Sequence, residues 1–153
     1  MTTLARSLVL MGVVAATSLV FAAPCSTAAM SGKWAYTYTG TIFTLNGPLP
    51  AASVGHFKQD ALGNVTGGQA RTVAGQSGLE DISGTISVND DCTATGTINV
   101  QVNGQLLRTA ELALVFDSNG NHVRAIFQSL TLPDGTNVPV VITIDGNRVT
   151  TKN

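Results

Sequence analysis

A chain of 153 residues is long enough to bury one hydrophobic core without a metal or cofactor, and it is short for more than one domain. The formal net charge is −1 and no basic run occurs, so nucleic acid is not an expected partner. Charged residues make up 11% and hydrophobic residues 44%, with 16 Gly, a composition that favours strands and tight turns over long amphipathic helices.

The N-terminal residues have the features of a secretory signal. A short positive segment ends at Arg6, and residues 7–23 form an uncharged apolar stretch that ends in small residues. A permanent membrane helix is the weaker alternative, because the stretch is short for a bilayer and is interrupted by Gly, Thr and Ser. We expect residues 1–22 to be removed and residues 23–153 to form one domain, secreted to an extracellular or periplasmic space without a membrane anchor.

The chain contains two cysteines, Cys25 and Cys92. Cleavage after Ala22 keeps Cys25, whereas cleavage after Ala28 would remove it. Because an exported protein meets an oxidising compartment, we predict a Cys25–Cys92 disulfide, worth about 4 kcal/mol through its effect on the unfolded chain. Two free thiols are the alternative, and neither cysteine has a CxxC or histidine neighbour that indicates catalysis or metal binding.

From residue 33 onwards, alternating apolar and polar runs are separated by Gly, Asn or Asp. Asn103-Gly104 is the strongest signal for a two-residue hairpin. Residues 46–50, with two prolines, are expected to end the first strand, and residues 75–78 are expected to form a looser connection between two strands. The runs predict eight strands, at residues 33–45, 52–59, 64–73, 79–89, 92–102, 105–116, 121–130 and 137–144.

Eight consecutive strands with short links predict an all-β protein, an antiparallel up-and-down barrel of about eight strands. Closure of such a meander removes its exposed edges. A two-sheet β-sandwich is the alternative, but it needs longer crossovers than the sequence supplies.

The alternation also predicts which side chains face the interior. The predicted inward rows of the last three strands are Leu106, Ala110, Leu112, Leu114 and Phe116; Val123, Ala125 and Phe127; and Val138, Val140, Ile142 and Ile144. Arg108 falls in the first of these rows. An inward arginine would need a polar or charged partner, or a position at an open end of the barrel.

The stretch DSNGN, residues 117–121, has the Asp and Asn spacing of a calcium loop. An EF-hand loop would need Gly at its sixth position and an acidic residue at its twelfth, but Gly120 is at the fourth and Gln128 at the twelfth. A turn explains these residues better, because Asp117 can accept hydrogen bonds from amides further along and Gly120 can adopt a positive φ. The run from Asp60 to Asn64 has the same Asp-x-x-Gly-Asn form.

Several stretches together carry a resemblance to a known group: the leader followed by Cys25, GKWAY (32–36), the turn at 60–64, SGTISV (83–88) and DCTATGT (91–97). The chain resembles small exported bacterial proteins of unassigned function with an early GxYxxxxxG strand and a SGTYxVxxDCTGT stretch. It departs from them at Lys33-Trp34 and at Ala94-Thr95. The resemblance implies the compartment, the strand count and the cysteine pairing, and no catalytic residue. By fold analogy alone it extends to lipocalin-like and allene-oxide-cyclase-like barrels.

No catalytic set or metal motif is recognisable. His56 and His122 do not form an HxH or HExxH pattern, and no cofactor is implied. Glu80 and Asp81 are adjacent strand residues, which point to opposite faces, so we expect two solvated charges rather than a paired acid and base. Residues 75–78 lack the spacing of a nucleophile elbow.

A small hydrophobic ligand is the one partner that the sequence suggests. Three aromatic side chains share one face of the first strand and could floor a pocket, although a plain packed core is the alternative. Three charged residues on neighbouring predicted strands could form cross-strand pairs and anchor an anionic ligand. The candidate ligand-binding residues are thus Trp34, Tyr36, Tyr38, Arg108, Glu111 and Arg124.

Two classes of function fit these observations. The first is an exported, non-enzymatic barrel that binds a small apolar ligand or has a structural role at the cell envelope. The second is a cofactor-free barrel enzyme, a cyclase or isomerase in which cavity shape and one or two polar groups do the chemistry. A smooth apolar cavity would favour the first, and a deep cavity holding Arg108, Glu111 or His56 would favour the second.

Overall fold

The structure is a computed structural model that describes residues 25–149; the predicted signal, residues 1–22, lies outside them. Within this range the chain forms strands and turns, and no helix is long or apolar enough to cross a bilayer. The strands are β1 (Gly32–Thr44), β2 (Gly47–Gln59), β3 (Asn64–Val73), β4 (Gln76–Val88), β5 (Thr93–Val102), β6 (Gln105–Phe116), β7 (His122–Thr131) and β8 (Val140–Arg148).

The eight strands form one closed antiparallel barrel. Each strand pairs with the next along the chain, and β8 pairs with β1 to complete the ring. The predicted up-and-down barrel is therefore confirmed, and the sandwich alternative is excluded. Because the strands alternate in direction, the links divide between two ends of the barrel.

The closed end carries the segment 25–31 and the turns 60–63, 89–92 and 117–121. Cys25 and Met30 are buried there, and Cys25 forms the predicted disulfide with Cys92, with the Cα atoms 5.0 Å apart. Arg148 connects three segments at the same end, because it donates hydrogen bonds to the carbonyls of Gly120, Ser31 and Ala29. Its guanidinium carbon also lies 5.1 Å from the centre of the Trp34 ring. The core aromatics Trp34, Phe57 and Phe116 pack above this segment.

Two turns at the closed end have the predicted Asp-x-x-Gly-Asn form. Asp60 accepts hydrogen bonds from the amides of Leu62 and Asn64, and Asp117 accepts from the amide of Asn121. Gly120 has a φ of 65°, in the left-handed region. The turn interpretation of residues 117–121 therefore agrees with the structure.

The open end carries the turns 45–46, 74–75 and 103–104 and the longer loop 132–139. Two of these turns are tighter than the sequence suggests. β2 already begins at Gly47, so Pro48 and Pro50 lie inside it. They lie in an extension past Val73, the end of β3, where the Ala74 amide donates to the Pro50 carbonyl but β2 has no further ladder pairing on that side. A missing N–H costs least at such an edge. Likewise β4 begins at Gln76, directly after a two-residue turn, so residues 76–78 are not a loop.

The last strand is shifted towards the C-terminus relative to the prediction. β8 runs from Val140 rather than residue 137, and it continues to Arg148 through Gly146. A side chain at Gly146 would come within 2.9 Å of the Val123 side chain, so this glycine serves close packing inside a strand. It does not mark a turn.

Two β-bulges interrupt the alternation. The first bulge lies in β6, where it pairs with β5. Arg108 pairs with Val100 and Leu106 pairs with Gln101, so β6 has one extra residue between these two pairs. Leu106 is consequently exposed, and its predicted inward position is wrong. A second bulge, at Gln128 of β7, lets both Phe127 and Leu130 face the interior.

Candidate ligand-binding cavity

The barrel interior contains a cavity of about 220 Å³. Its wall is almost entirely aliphatic and aromatic, and runs from Phe57, Val65 and Val123 near the closed end to Ile42, Leu132 and Val138 at the open end. Small side chains leave this space, since Ala110 and Ala125 occupy inward positions on β6 and β7. At ~30 Å³ per water molecule the volume equals roughly seven waters, below the 300–1,000 Å³ of drug-sized sites.

A polar cluster lies inside the barrel near the open end. We define it as Tyr36, Tyr38, Ser53, Gln69, Arg71, Glu80 and Arg108. Its centre is Glu80, which is only 5% exposed although it was expected to be solvated. The parity argument itself is correct, because Asp81 points outward and is exposed. The expectation for Glu80 fails because its partners come from other strands, Gln69 and Arg71 from the neighbouring β3 and Arg108 from β6.

Three side chains hold the Glu80 carboxylate. Arg108 binds it in a bidentate manner, with Nη1 2.9 Å from Oε1 and Nη2 2.5 Å from Oε2. Arg71 donates from Nε to Oε1 at 2.8 Å, and Gln69 donates from Nε2 to Oε2 at 2.7 Å. Each carboxylate oxygen thus accepts two hydrogen bonds, which uses its acceptor capacity fully.

A hydrogen-bond chain extends from Glu80 to β1 and β2. The amide oxygen of Gln69 accepts from the Tyr36 hydroxyl at 2.8 Å and from the Ser53 hydroxyl at 3.1 Å. The amide of Gln69 therefore links the carboxylate to both hydroxyls, and it fixes the orientation of all four side chains.

The ionisation states in the cluster follow from burial and from the arginines. Burial acts to raise the pKa of the Glu80 carboxyl, but the hydrogen bonds and charge of Arg108, together with Gln69 and Arg71, hold this pKa below its ordinary value. Burial raises the pKa of Tyr36 well above the usual value for a phenol, and it also raises the pKa of Tyr38. The cluster thus contains one carboxylate, two guanidinium groups and two neutral phenols.

Three of the six candidate ligand-binding residues line the cavity. These are Tyr36, Tyr38 and Arg108. Trp34 shares their face of β1 but lies deeper, where it is fully buried against Phe57 and Phe116 and donates from Nε1 to the Met30 carbonyl. Trp34 therefore belongs to the packed closed end.

Glu111 and Arg124 lie on the outer surface and do not pair with Arg108 or with each other. Glu111 is exposed and accepts a hydrogen bond from Thr97. Arg124 is exposed 4.0 Å from Asp145. The three charged residues therefore do not form the cross-strand pairs that the sequence allowed, and Arg108 has Glu80 as its partner instead.

The sequence interpretation missed Gln69, Arg71 and Glu80. Strand parity contained the signal, because Val65, Gln69 and Arg71 share one face of β3, and Glu80 shares a face with Ile82 and Ile86 on β4. Two polar positions in an otherwise apolar inward row, opposite a third one on the neighbouring strand, indicate a buried polar cluster. The register of β3 against β4 agrees with such a cluster, since Gln69 and Glu80 are direct cross-strand partners.

Other ionisable groups do not assemble into a site. His56 is exposed on β2, and His122 pairs with Asp145 at 2.9 Å on the outside of the barrel. Among residues 25–149, no group of three His, Cys, Asp or Glu side chains could hold a metal ion.

The rim of the open end is apolar. Six large apolar side chains around the open-end links are exposed, namely Phe43, Leu45, Leu79, Leu106, Leu107 and Leu132. The turns at the closed end carry Asp60, Asp90, Asp91 and Asp117, with Leu62 as their one exposed large apolar side chain. Leu132, at this end, is the most exposed of the described cavity-lining residues, and Arg71 near the same end is partly exposed, so we place the cavity mouth at the apolar end.

Comparison with known proteins supports the barrel architecture but does not assign the chain to a family. No protein-family model matches the sequence, and no curated protein matches it. A redesigned β-barrel shares 17% sequence identity, with a TM-score of 0.50 over 81% of this chain and 95% of the other. An S-type phycobiliprotein lyase from Guillardia theta shares 9% identity, with a TM-score of 0.43 over 82% of this chain and 92% of the other.

The similarity to the redesigned barrel concerns the fold alone. The described part of the chain is a closed eight-stranded antiparallel barrel that contains an apolar cavity and a buried polar cluster beside its open end. The resemblance to small exported bacterial proteins stays a prediction from the sequence motifs.

Proposed function

We propose that the protein is an exported, non-enzymatic barrel that binds a small apolar ligand in its interior. The apolar cavity of about 220 Å³ carries this proposal. An eight-stranded barrel can be filled completely by its own side chains, so alanines at inward positions beside a cavity support a role in binding.

Export forms part of the same proposal. Residues 1–22 would act as a cleaved signal, and the remaining domain would work outside the cytoplasm. The Cys25–Cys92 disulfide supports this placement, because such bonds persist in oxidising compartments.

A cofactor-free barrel enzyme is the second candidate, and it is favoured by the presence of Arg108 in the cavity wall. The cluster is poorly suited to acid–base work, however. Glu80 has a lowered pKa and its oxygens are occupied, while Tyr36 and Tyr38 have raised pKa values and are weak proton donors. These groups are better suited to hold a ligand than to transfer protons.

Binding of a hydrophobic fluorophore to residues 23–153 tests the proposal. Ala110→Phe places a ring in the cavity, whereas Ala52→Phe adds the same ring on the exposed outer face of β2. We expect the dye to bind the unmodified domain and the Ala52→Phe variant, and to bind Ala110→Phe at least about tenfold more weakly. Equal binding to all three proteins would place the dye on the surface and refute the proposal.

A further inference from the structure

We propose that the ligand is a small amphiphile with a single anionic head group, such as a carboxylate, bound by Arg71 and Arg108 with its apolar tail in the cavity. This inference rests on the proposed ligand-binding function. It adds the chemical class of the ligand and its orientation in the barrel.

The charges of the polar cluster do not balance. Two guanidinium groups face one carboxylate, and the remaining members are neutral, so the cluster has one excess positive charge. Both arginine side chains are largely removed from water, with 25% exposure for Arg71 and 14% for Arg108. Electrostatic interactions at such a position are stronger than at an open surface, so an anion there gains more than it would in solvent.

The cavity wall presents the positive side of the cluster. Arg71 and Arg108 line the cavity, and they are the only charged residues of the described chain that do so. Glu80 is not part of the wall, and its two oxygens are engaged by Arg71, Arg108 and Gln69. A ligand in the cavity therefore meets guanidinium groups and no free carboxylate.

The two guanidinium groups are held side by side with donors to spare. Nε of Arg71 and Nη1 of Arg108 lie 2.8 and 2.9 Å from the same oxygen of Glu80, which makes Glu80 a positioning residue. Of the five N–H groups on each guanidinium, one of Arg71 and two of Arg108 bond to Glu80. The free donors, arranged as planar forks, match the geometry of a carboxylate.

The position of the cluster fixes the orientation of the ligand. Arg71 is two residues from the open-end terminus of β3, and Arg108 is three residues from that of β6. The apolar wall continues from there towards Phe57 and Val123 at the closed end. The head group would thus lie near the mouth and the tail below it, and the small volume selects a short or medium-length chain.

A head-group series with a constant tail tests this inference. Decanoate, decanol and decyltrimethylammonium would each be titrated into the domain at neutral pH, with displacement of the fluorophore as the readout. We expect decanoate to bind at least about tenfold more tightly than decanol, and decyltrimethylammonium to bind most weakly, because only the carboxylate forms charge-assisted hydrogen bonds to both arginines.

Two matched variants locate the effect. Arg71→Gln removes one positive charge but leaves the bidentate Arg108–Glu80 pair, and Arg124→Gln removes an arginine from the outer surface. We expect Arg71→Gln to lose most of the preference for decanoate over decanol. Arg124→Gln should retain the full preference.

The outcomes separate the two proposals. If no compound in the series displaces the dye or binds, the ligand-binding function itself fails. If decanol or the cationic compound binds as tightly as decanoate, or if Arg71→Gln retains the preference, the anionic class is overturned while the apolar binding function stands.

Discussion

Glu80 is the residue on which the interior of the barrel depends most. It is buried, and its four hydrogen bonds link β4 to partners on β3 and β6. Arg108 was identified from parity alone, because it interrupts an apolar row. Glu80 was not, because nothing local to Glu80-Asp81 indicates that an arginine 28 residues further on will bind one of the two acids.

Replacement of Glu80 tests its structural weight. Glu80→Gln leaves two guanidinium groups inside the barrel without their carboxylate, and we expect a loss of about 3 kcal/mol in the free energy of unfolding. Asp81→Asn, one residue away on the exposed face, should change it by less than about 0.5 kcal/mol. Urea denaturation of both variants gives the comparison, and similar values for the two would contradict the central role of Glu80.

The two tyrosines, Tyr36 and Tyr38, allow a test by pH titration. Burial raises the pKa of each above the ordinary value of 10.0, so the folded protein should show no phenolate absorbance as the pH passes that value. The unfolded chain ionises there first, so stability that is complete below pH 10 should fall as the pH rises further. A phenolate step near pH 10 in the folded state, with the urea-unfolded protein as reference, would show that these side chains are exposed.

At the scale of the strands, the alternation of the sequence carries most of the information. It predicted all eight strands, and β3 and β6 have the predicted bounds. The bulges in β6 and β7 were not predicted, because one extra residue shifts the alternation of a strand without a distinct local sequence signal. The strand extension through Pro48 and Pro50 was missed because edge position depends on where β3 ends.

The turn at Asn103-Gly104 offers a test of the hairpin assignment. Gly104 has a φ of 77°, and a side chain there would meet no neighbour within 4 Å, so only backbone strain opposes a substitution. We expect Gly104→Ala to cost about 1 kcal/mol in the free energy of unfolding. Gly78 has equal space without a positive φ, and Gly78→Ala should be neutral or slightly stabilising. Thermal unfolding of the Gly104→Ala and Gly78→Ala variants tests this expectation. Equal stabilities of the two variants would exclude backbone strain at Gly104.

At the scale of the whole molecule, the barrel has two different ends. The closed end is held by the Cys25–Cys92 disulfide and by Arg148, and it carries the acidic turns. The open end carries the cavity mouth, the arginines and the apolar rim. The sequence indicated the disulfide and the closure, but it could not decide between a pocket and a packed core, because the volume of the cavity depends on how inward side chains from all eight strands pack together.

Removal of the disulfide should destabilise the barrel without changing its fold. The bond closes a sequence separation of 67 residues, so we expect the Cys25→Ser/Cys92→Ser variant to lose about 4 kcal/mol in the free energy of unfolding. Far-ultraviolet circular dichroism should still report a β-sheet protein at low temperature. Reduction of the unmodified domain provides the control and should lower its stability by a similar amount. A stability unchanged by both treatments would show that the bond does not hold the closed end.

The most direct test of the binding cavity is native mass spectrometry of residues 23–153 titrated with decanoate. We predict saturation at one decanoate per chain, and loss of this bound species in the Ala110→Phe variant, whose added ring occupies the cavity. The same stoichiometry in both proteins, or no bound decanoate at any concentration, would contradict a ligand site inside the barrel.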